Sequence, residues 1–352
     1  MVVIGLLAIV FINMNLQILK KPIDRSLSIL PGLFLLGAIA FFSLQVHDRT
    51  AIHFLNPLLI AVLLGILVGN TIRVPKIYQP GIQFSMKKIL RLSVILLGLK
   101  LSFTEVLEIG ASNLILVAFS SISTFFLTCW LGKILKINRN LTQLIAAGTS
   151  ICGASAIVAT NSVIDSSEED ITYAIALITG LGTMAMVSYP LIPTLLQLSP
   201  QAFGVWCGAS IHEVAQVVAA AFQNGTVSGE LATVTKLSRV LLLIPVIFML
   251  SWTNKKPQKP GGFSQVFDAI PWFVLIFGLL TIVNTFNLIP TQLQTSILNW
   301  NQFLLCIAMA AMGLKTSFHD LNKIGIKPLY LAILSWLFLA LTSLTYIKTF
   351  MA

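Results

Sequence analysis

Apolar runs follow one another along the chain, near 27–46, 54–69, 81–102, 107–132, 141–163, 171–197, 201–222, 231–252, 271–289, 295–316 and 327–347. Short clusters of charge, proline and glycine separate them. A bilayer-spanning helix needs about 20 apolar residues, and these runs match that length. Their apolar positions are continuous rather than alternating, which predicts helices instead of barrel strands. The pattern predicts an all-α membrane protein of about 11 (10–12) transmembrane helices. Residues 1–19 form one more apolar run, diluted by Asn13, Asn15 and Gln17. It lacks a basic leader and a small-residue cleavage site, so it reads as an extra N-terminal segment and not a signal peptide. Residues 1–26 therefore stand apart from a single polytopic unit over 27–352.

Composition sharpens the class. Of 352 residues, 57% are hydrophobic and 10% charged, whereas a soluble domain carries about 25% charged residues. The mean hydropathy is +0.92. An ordinary soluble enzyme and a disordered chain are both excluded. The excess of 22 Lys+Arg over 12 Asp+Glu gives +10. In a soluble chain that excess suggests nucleic acid; here it sits in the gaps between runs and sets orientation. The four cysteines, Cys129, Cys152, Cys207 and Cys306, lie inside apolar runs and read as buried thiols.

Charge then tests the span count. With Lys20, Lys21 and Arg25 in the cytoplasm, strict alternation puts Arg73, Lys76, Lys133, Lys136, Arg139, Lys255, Lys256, Lys259, Lys323 and Lys327 on the same side. The acidic gap with Asp165, Glu168, Glu169 and Asp170 falls outside. Lysine and arginine bias orients membrane proteins, so the segment near 201–222 is expected to cross fully.

The chain also repeats itself. Gly98-Leu99-Lys100-Leu101-Ser102-Phe103 recurs as Gly313-Leu314-Lys315-Thr316-Ser317-Phe318, and the match extends through Ile109/Ile324 and Gly110/Gly325. Copies around 98–110 and 313–325 run in opposite directions under this alternation, the sign of an inverted-topology repeat.

Two runs carry polar interruptions near mid-length: Gly148-Thr149-Ser150-Ile151-Cys152-Gly153-Ala154-Ser155 and Gly208-Ala209-Ser210-Ile211-His212-Glu213-Val214-Ala215-Gln216. Glycine lets a helix break, and a broken helix offers free amides and a positive dipole end to an anion. Thr149, Ser150, Cys152, Gly153, Ser155, Gly208 and Ser210 are the expected substrate-binding set. Glu213 is the one acid deep inside a run, which marks it as a functional candidate. With His212 and Gln216, four apart on one helical face, it forms the expected ion-coupling set. Arg91, Lys100, Lys236 and Arg239 are available to pair with it. The stretch His212-Glu213-Val214-Ala215-Gln216 has glutamine where a zinc-binding HExxH helix has its second histidine, so no metal is expected.

The stretches Gly148–Ala159 and Ser210–Ala221, with Ala308–Lys315 and Lys327-Pro328-Leu329, resemble the bacterial family of proposed sulfate exporters. The likeness runs from about residue 27 to the C-terminus. It implies a multi-pass inner-membrane protein related to bile-acid/sodium symporters and sodium/proton antiporters, with two inverted repeats and a pair of crossing, broken helices. The sequence departs from that fold at one point: strict alternation runs both interrupted segments in the same direction, whereas the crossing helices are antiparallel.

The expected function is secondary-active transport of a small anion, sulfate export among the options, coupled to H⁺ or Na⁺. The alternatives are a Na⁺/H⁺-type cation antiporter and a non-transporting membrane protein. No enzymatic activity, cofactor or nucleic-acid partner is expected; the partners are a small ion, the lipid bilayer and, as an option, a second copy of the chain.

Overall fold

The computed structural model describes residues 24–49, 56–72, 74–100, 110–164, 166–253, 272–316 and 326–350. Residues 1–23, Arg73, Asp165, the Lys255–Lys259 cluster, Lys323 and the repeat stretches 101–109 and 317–325 lie outside these.

Regular structure among the described residues is entirely helical. In chain order the helices longer than one turn are α1 (Asp24–Arg49), α2 (Pro57–Thr71), a continuous helical run over 76–100 (α3), α4 (Gly110–Ile134), α5 (Arg139–Ala147), α6 (Ala154–Ile164), α7 (Glu168–Ser188), α8 (Pro200–Ser210), α9 (Val214–Ala221), α10 (Thr226–Leu241), α11 (Leu243–Thr253), α12 (Trp272–Thr285), α13 (Thr291–Lys315) and α14 (Ile326–Phe350). Among the described residues, six helical stretches are long and apolar enough to cross a bilayer, and α2 and α12 are shorter apolar helices. Starts follow local chemistry. Asn56 caps α2 ahead of Pro57, Ser167 caps α7 through the amide of Asp170, and Ser199 caps α8 ahead of Pro200. Glu168, Glu169 and Asp170 fill the first turn of α7, where acids favour the helix dipole.

Hydrogen bonds and close approaches fix helix directions. The Asn138 side-chain amide, at the start of α5, donates to Asp170 Oδ2 at the start of α7 (3.4 Å). Helices α5 and α7 therefore begin at the same end of the molecule, and α6 must bring the chain back to that end. The segment 139–164 is a re-entrant hairpin. On α8, Gly204 packs against Ser228 and Gly208 against Ala232 of α10. The two numbers rise together, so α8 and α10 run parallel from a common level and α9 must return between them. The segment 200–221 is a second hairpin.

The second hairpin enters from the opposite end, because α7 crosses between them. Two expectations are thereby corrected. Neither 141–163 nor 201–222 crosses as a straight span, and Glu168–Asp170 lies at the same end as Arg139 instead of across from it. The physical reason is length. The helical pieces of these two segments hold only 8 to 14 residues, the π turn after α5 included, short of the about 20 that a span needs. Because two crossings drop out together, alternation after α10 is unchanged. The hairpins themselves point in opposite directions, which removes the same-direction conflict.

Helices α1, α2, α3, α12 and α13 pack largely on one another, while α4, α7, α10, α11 and α14 surround the hairpins. Gln294 Nε2 on α13 donates to the Leu99 carbonyl (2.6 Å), and Asn301 Nδ2 donates to the Ser93 carbonyl (3.1 Å). One number rises as the other falls, so α3 and α13 are antiparallel. Gly98 packs on the Phe277 carbonyl of α12, and Gly313 packs on the Val62 carbonyl of α2. The offset that carries Gly98 onto Gly313 also carries Val62 onto Phe277, so each contact is the counterpart of the other.

Candidate functional site

The two hairpin tips meet at mid-depth. In the first, α5 widens into a π turn over Gly148–Cys152 and ends at Gly153, whose φ of 74° is a left-handed conformation that glycine adopts without steric cost. In the second, α8 stops at Ser210, and Ile211 and Glu213 are extended (ψ 148° and 147°) before α9 begins. A Cβ on Gly153 would stand 2.7 Å from Glu213 Cγ. The absence of a side chain at 153 is what lets the tips touch.

The ends of α5 and α8 point carbonyl oxygens at each other, groups a helix leaves without partners. Two fully buried cations on α10 supply the donors. Lys236 Nζ donates to the Ile151 carbonyl (2.9 Å) and the Ile211 carbonyl (2.8 Å). The Arg239 guanidinium donates to the carbonyls of Thr149 (2.8 Å), Ser150 (3.3 Å), Gly208 (3.2 Å) and Ile211 (3.1 Å). Positive charge at a helix C-terminus opposes the negative dipole end. Lys236 and Arg239 thus bond to backbone instead of forming a salt bridge with Glu213, and they were available in the sequence only as pairing candidates. A signal for their partners was present: Gly148-x-Ser150-Ile151 and Gly208-x-Ser210-Ile211 share one pattern, and Lys236 bonds the same isoleucine carbonyl in each.

The substrate-binding set divides in two. Thr149, Ser150, Cys152, Gly208 and Ser210 are buried on the carbonyl side of the tips. The hydroxyls of Ser150 and Ser210 donate back to Ala146 (2.7 Å) and Trp206 (2.6 Å) of their own helices. Thr149 Oγ1 has no hydrogen-bond partner among the described residues. Gly153 and Ser155 lie on the other side, at the start of α6, where Ser155 is exposed.

The coupling set also divides. Glu213 is half-buried and accepts from Thr179 Oγ1 of α7 (2.8 Å). Gln216 accepts from the Glu213 amide (3.1 Å) and donates to the Thr179 carbonyl (3.1 Å) and Thr183 Oγ1 (3.4 Å). His212 is fully buried, and neither ring nitrogen has a partner among the described residues; its ring centroid is 6.4 Å from that of Trp336 on α14. His212 and Gln216 do not share a helical face as expected, because the chain is extended at Glu213 and α9 starts after it. Lys100 lies at the far end of α3, 3.9 Å from Glu230, and Arg91 sits over the Phe273 ring. Thr179 and Thr183 are site residues that the sequence did not single out; they sit four apart in an unremarkable apolar helix.

The first amides of α6 and α9 have no acceptor within their own helices; in α9 the Glu213 carboxyl, at the N-cap, takes the Gln216 backbone amide in a capping box. These first amides flank the Gly153–Glu213 contact, so two positive dipole ends share the half-exposed side of the tips. Thr179, Ser155 and the Glu213 carboxyl are the side-chain groups there. Behind them stand the two buried cations of α10.

Fold and site together define a polytopic, all-helical membrane protein with buried charge at mid-depth. The chain belongs to the family described as conserved hypothetical protein 698, whose profile matches residues 31–332. It is 36% identical to a UPF0324 membrane protein of Yersinia pestis, over 88% of this chain and 90% of that protein. It is also 36% identical to the UPF0324 inner membrane protein YeiH of Escherichia coli K12, over 83% and 86%, and 35% identical to a UPF0324 membrane protein of Haemophilus influenzae, over 88% and 94%.

Proposed function

We propose that this protein is a secondary-active transporter of a small anion in the inner membrane, sulfate being one member of that class. The observation that carries the proposal is the meeting of two oppositely directed hairpins at mid-depth. Lys236 and Arg239 bond their carbonyl ends, and their amide ends face the half-exposed side, where the Glu213 carboxyl caps α9 through the Gln216 backbone amide. Irregular backbone at that depth is tolerated only within protein or beside water, and discontinuous helices near the midplane are where secondary transporters bind. Two buried cations against one carboxyl, among the described residues of the site, favour an anion over a cation antiporter's Na⁺. Glu213, with Gln216 and Thr179, carries the coupling ion, H⁺ or Na⁺.

An inverted-topology relation between the halves is supported by the antiparallel α3 and α13 and by the paired contacts at Gly98 and Gly313. On this reading about nine crossings and two hairpins replace the eleven spans. The Arg139 end is cytoplasmic, because it gathers the basic loops. No enzymatic activity, resident cofactor or nucleic-acid partner is part of the proposal, and a homodimer is compatible with it.

The test is uptake of labelled sulfate and other small anions into proteoliposomes under imposed pH and Na⁺ gradients. Glu213→Gln, which retains an acceptor for Thr179, is expected to fold normally and to lose gradient-driven flux. Wild-type flux in that variant removes Glu213 from coupling; no flux of any anion in the unsubstituted protein rejects the transport reading.

A further inference from the structure

Helix α3 carries Lys87, Lys88 and Arg91 well inside its length. It spans 76–100, with Lys76 at the Arg139 end and Lys100 beside Glu230 at the other. At 1.5 Å per residue, Lys87 is about 16 Å from Lys76 and about 20 Å from Lys100, so it sits at mid-depth. Lys87 is nevertheless exposed, as is Gln83 one turn before it. An ammonium facing lipid at that depth is costly, and such groups face protein or water. Both ends lie too far for Lys87 to reach a headgroup layer by extending its side chain.

The charges belong to one copy of the repeat. At the offset that carries Gly98 onto Gly313, the counterparts of Gln83, Lys87, Lys88 and Arg91 are Leu298, Gln302, Phe303 and Cys306, all uncharged. The positive stripe from Lys87 to Arg91 thus lies around the middle of α3, with Gln83 toward the Arg139 end, and the antiparallel α13 carries no counterpart of it. At the opposite end the two helix groups are joined. The Asn56 amide donates to Gln223 Oε1 (2.8 Å), Asn56 Nδ2 donates to the Phe222 carbonyl (3.1 Å), and Lys100 pairs with Glu230 (3.9 Å) while lying over the Phe222 ring.

We propose that Gln83 and Lys87, with Lys88 and Arg91 beside them, line a water-filled, electropositive vestibule. It opens at the Arg139 end and leads small anions toward the hairpin tips. Counted from the Lys100–Glu230 pair, Lys236 and Arg239 are about 9 and 14 Å along α10, so Lys87 stands a little beyond them toward the open end. A cleft lined by one sign of charge raises the local concentration of the opposite ion. The use of the vestibule rests on the anion reading above; its existence does not.

The experiment reads existence without any substrate. Lys87→Cys and Gln83→Cys, in the full-length protein in membrane vesicles, are treated with membrane-impermeant thiosulfonate reagents of either charge. The unsubstituted protein, with its own four cysteines, sets the background. Both variants are expected to react, with the anionic reagent favoured about tenfold over its ratio on a free thiol. Adding Lys88→Gln is expected to reduce that preference. Cysteines that react only after denaturation show a face covered by lipid or by a second copy, and they overturn the proposal. An equal or reversed charge preference overturns it as well. Labelling as expected without anion flux leaves the vestibule standing and rejects transport; flux without labelling does the opposite.

Discussion

Replacing Lys236 by methionine isolates the tie between the two tips. The substitution keeps a long, flexible apolar side chain and removes the ammonium, which makes bonds of 2.9 Å to Ile151 and 2.8 Å to Ile211. Hydrogen bonds to charged groups contribute about 1.5–3 kcal/mol each. The Ile211 carbonyl keeps Arg239 as a donor at 3.1 Å, so the principal loss is the bond to Ile151. Removing a buried ammonium also relieves its desolvation cost, which offsets part of the loss. A net destabilisation of about 1–3 kcal/mol is expected, read as a lower thermal midpoint in detergent. Lys236→Arg, which retains charge and donors, should fall between methionine and wild type. A Lys236→Met protein that melts with the wild type and transports normally would show that the tips are held together by packing alone, and the capping argument would fail.

Other consequences are equally open to measurement. Gly182→Ala places a methyl where Gln216 Oε1 now lies; displacing that side chain should cost about 1–3 kcal/mol in a thermal melt, and an unchanged melting point refutes the contact. Trp206→Phe removes the bond from Trp206 Nε1 to the Ala340 carbonyl (2.9 Å) while keeping an aromatic ring near Tyr189; a loss of about 1–2 kcal/mol is expected, and none would mean the bond is not formed. Asn138→Cys and Asp170→Cys should be labelled by an impermeant reagent from the same side of sealed vesicles. Labelling from opposite sides restores the straight-span topology and rejects the first hairpin.

Much of the site was legible residue by residue. Gly148–Ser155 and Gly208–Gln216 stood out because small and polar residues at mid-span are expensive unless the backbone is irregular, and both stretches do break. Glu213 stood out because ionisable groups inside an apolar run are rare, and it lies at the junction. The hydroxyls of Ser150 and Ser210 could not be assigned in advance. A serine on a helix can donate to the carbonyl four residues back or to a ligand, and only the surroundings choose. Thr179 and Thr183 gave no signal, since two threonines in an apolar helix are ordinary.

Hydropathy and composition alone determined that the chain is helical and lies in a membrane, because those properties depend on local composition and on transfer free energy. Which apolar runs cross and which turn back was decided only in three dimensions. An apolar run holds the same surface whether it forms one straight helix or two antiparallel halves. The choice is made by Gly153 lying against Glu213 and by Lys236 and Arg239, some 25 to 90 residues away in the chain, reaching carbonyls that a straight helix would never have exposed.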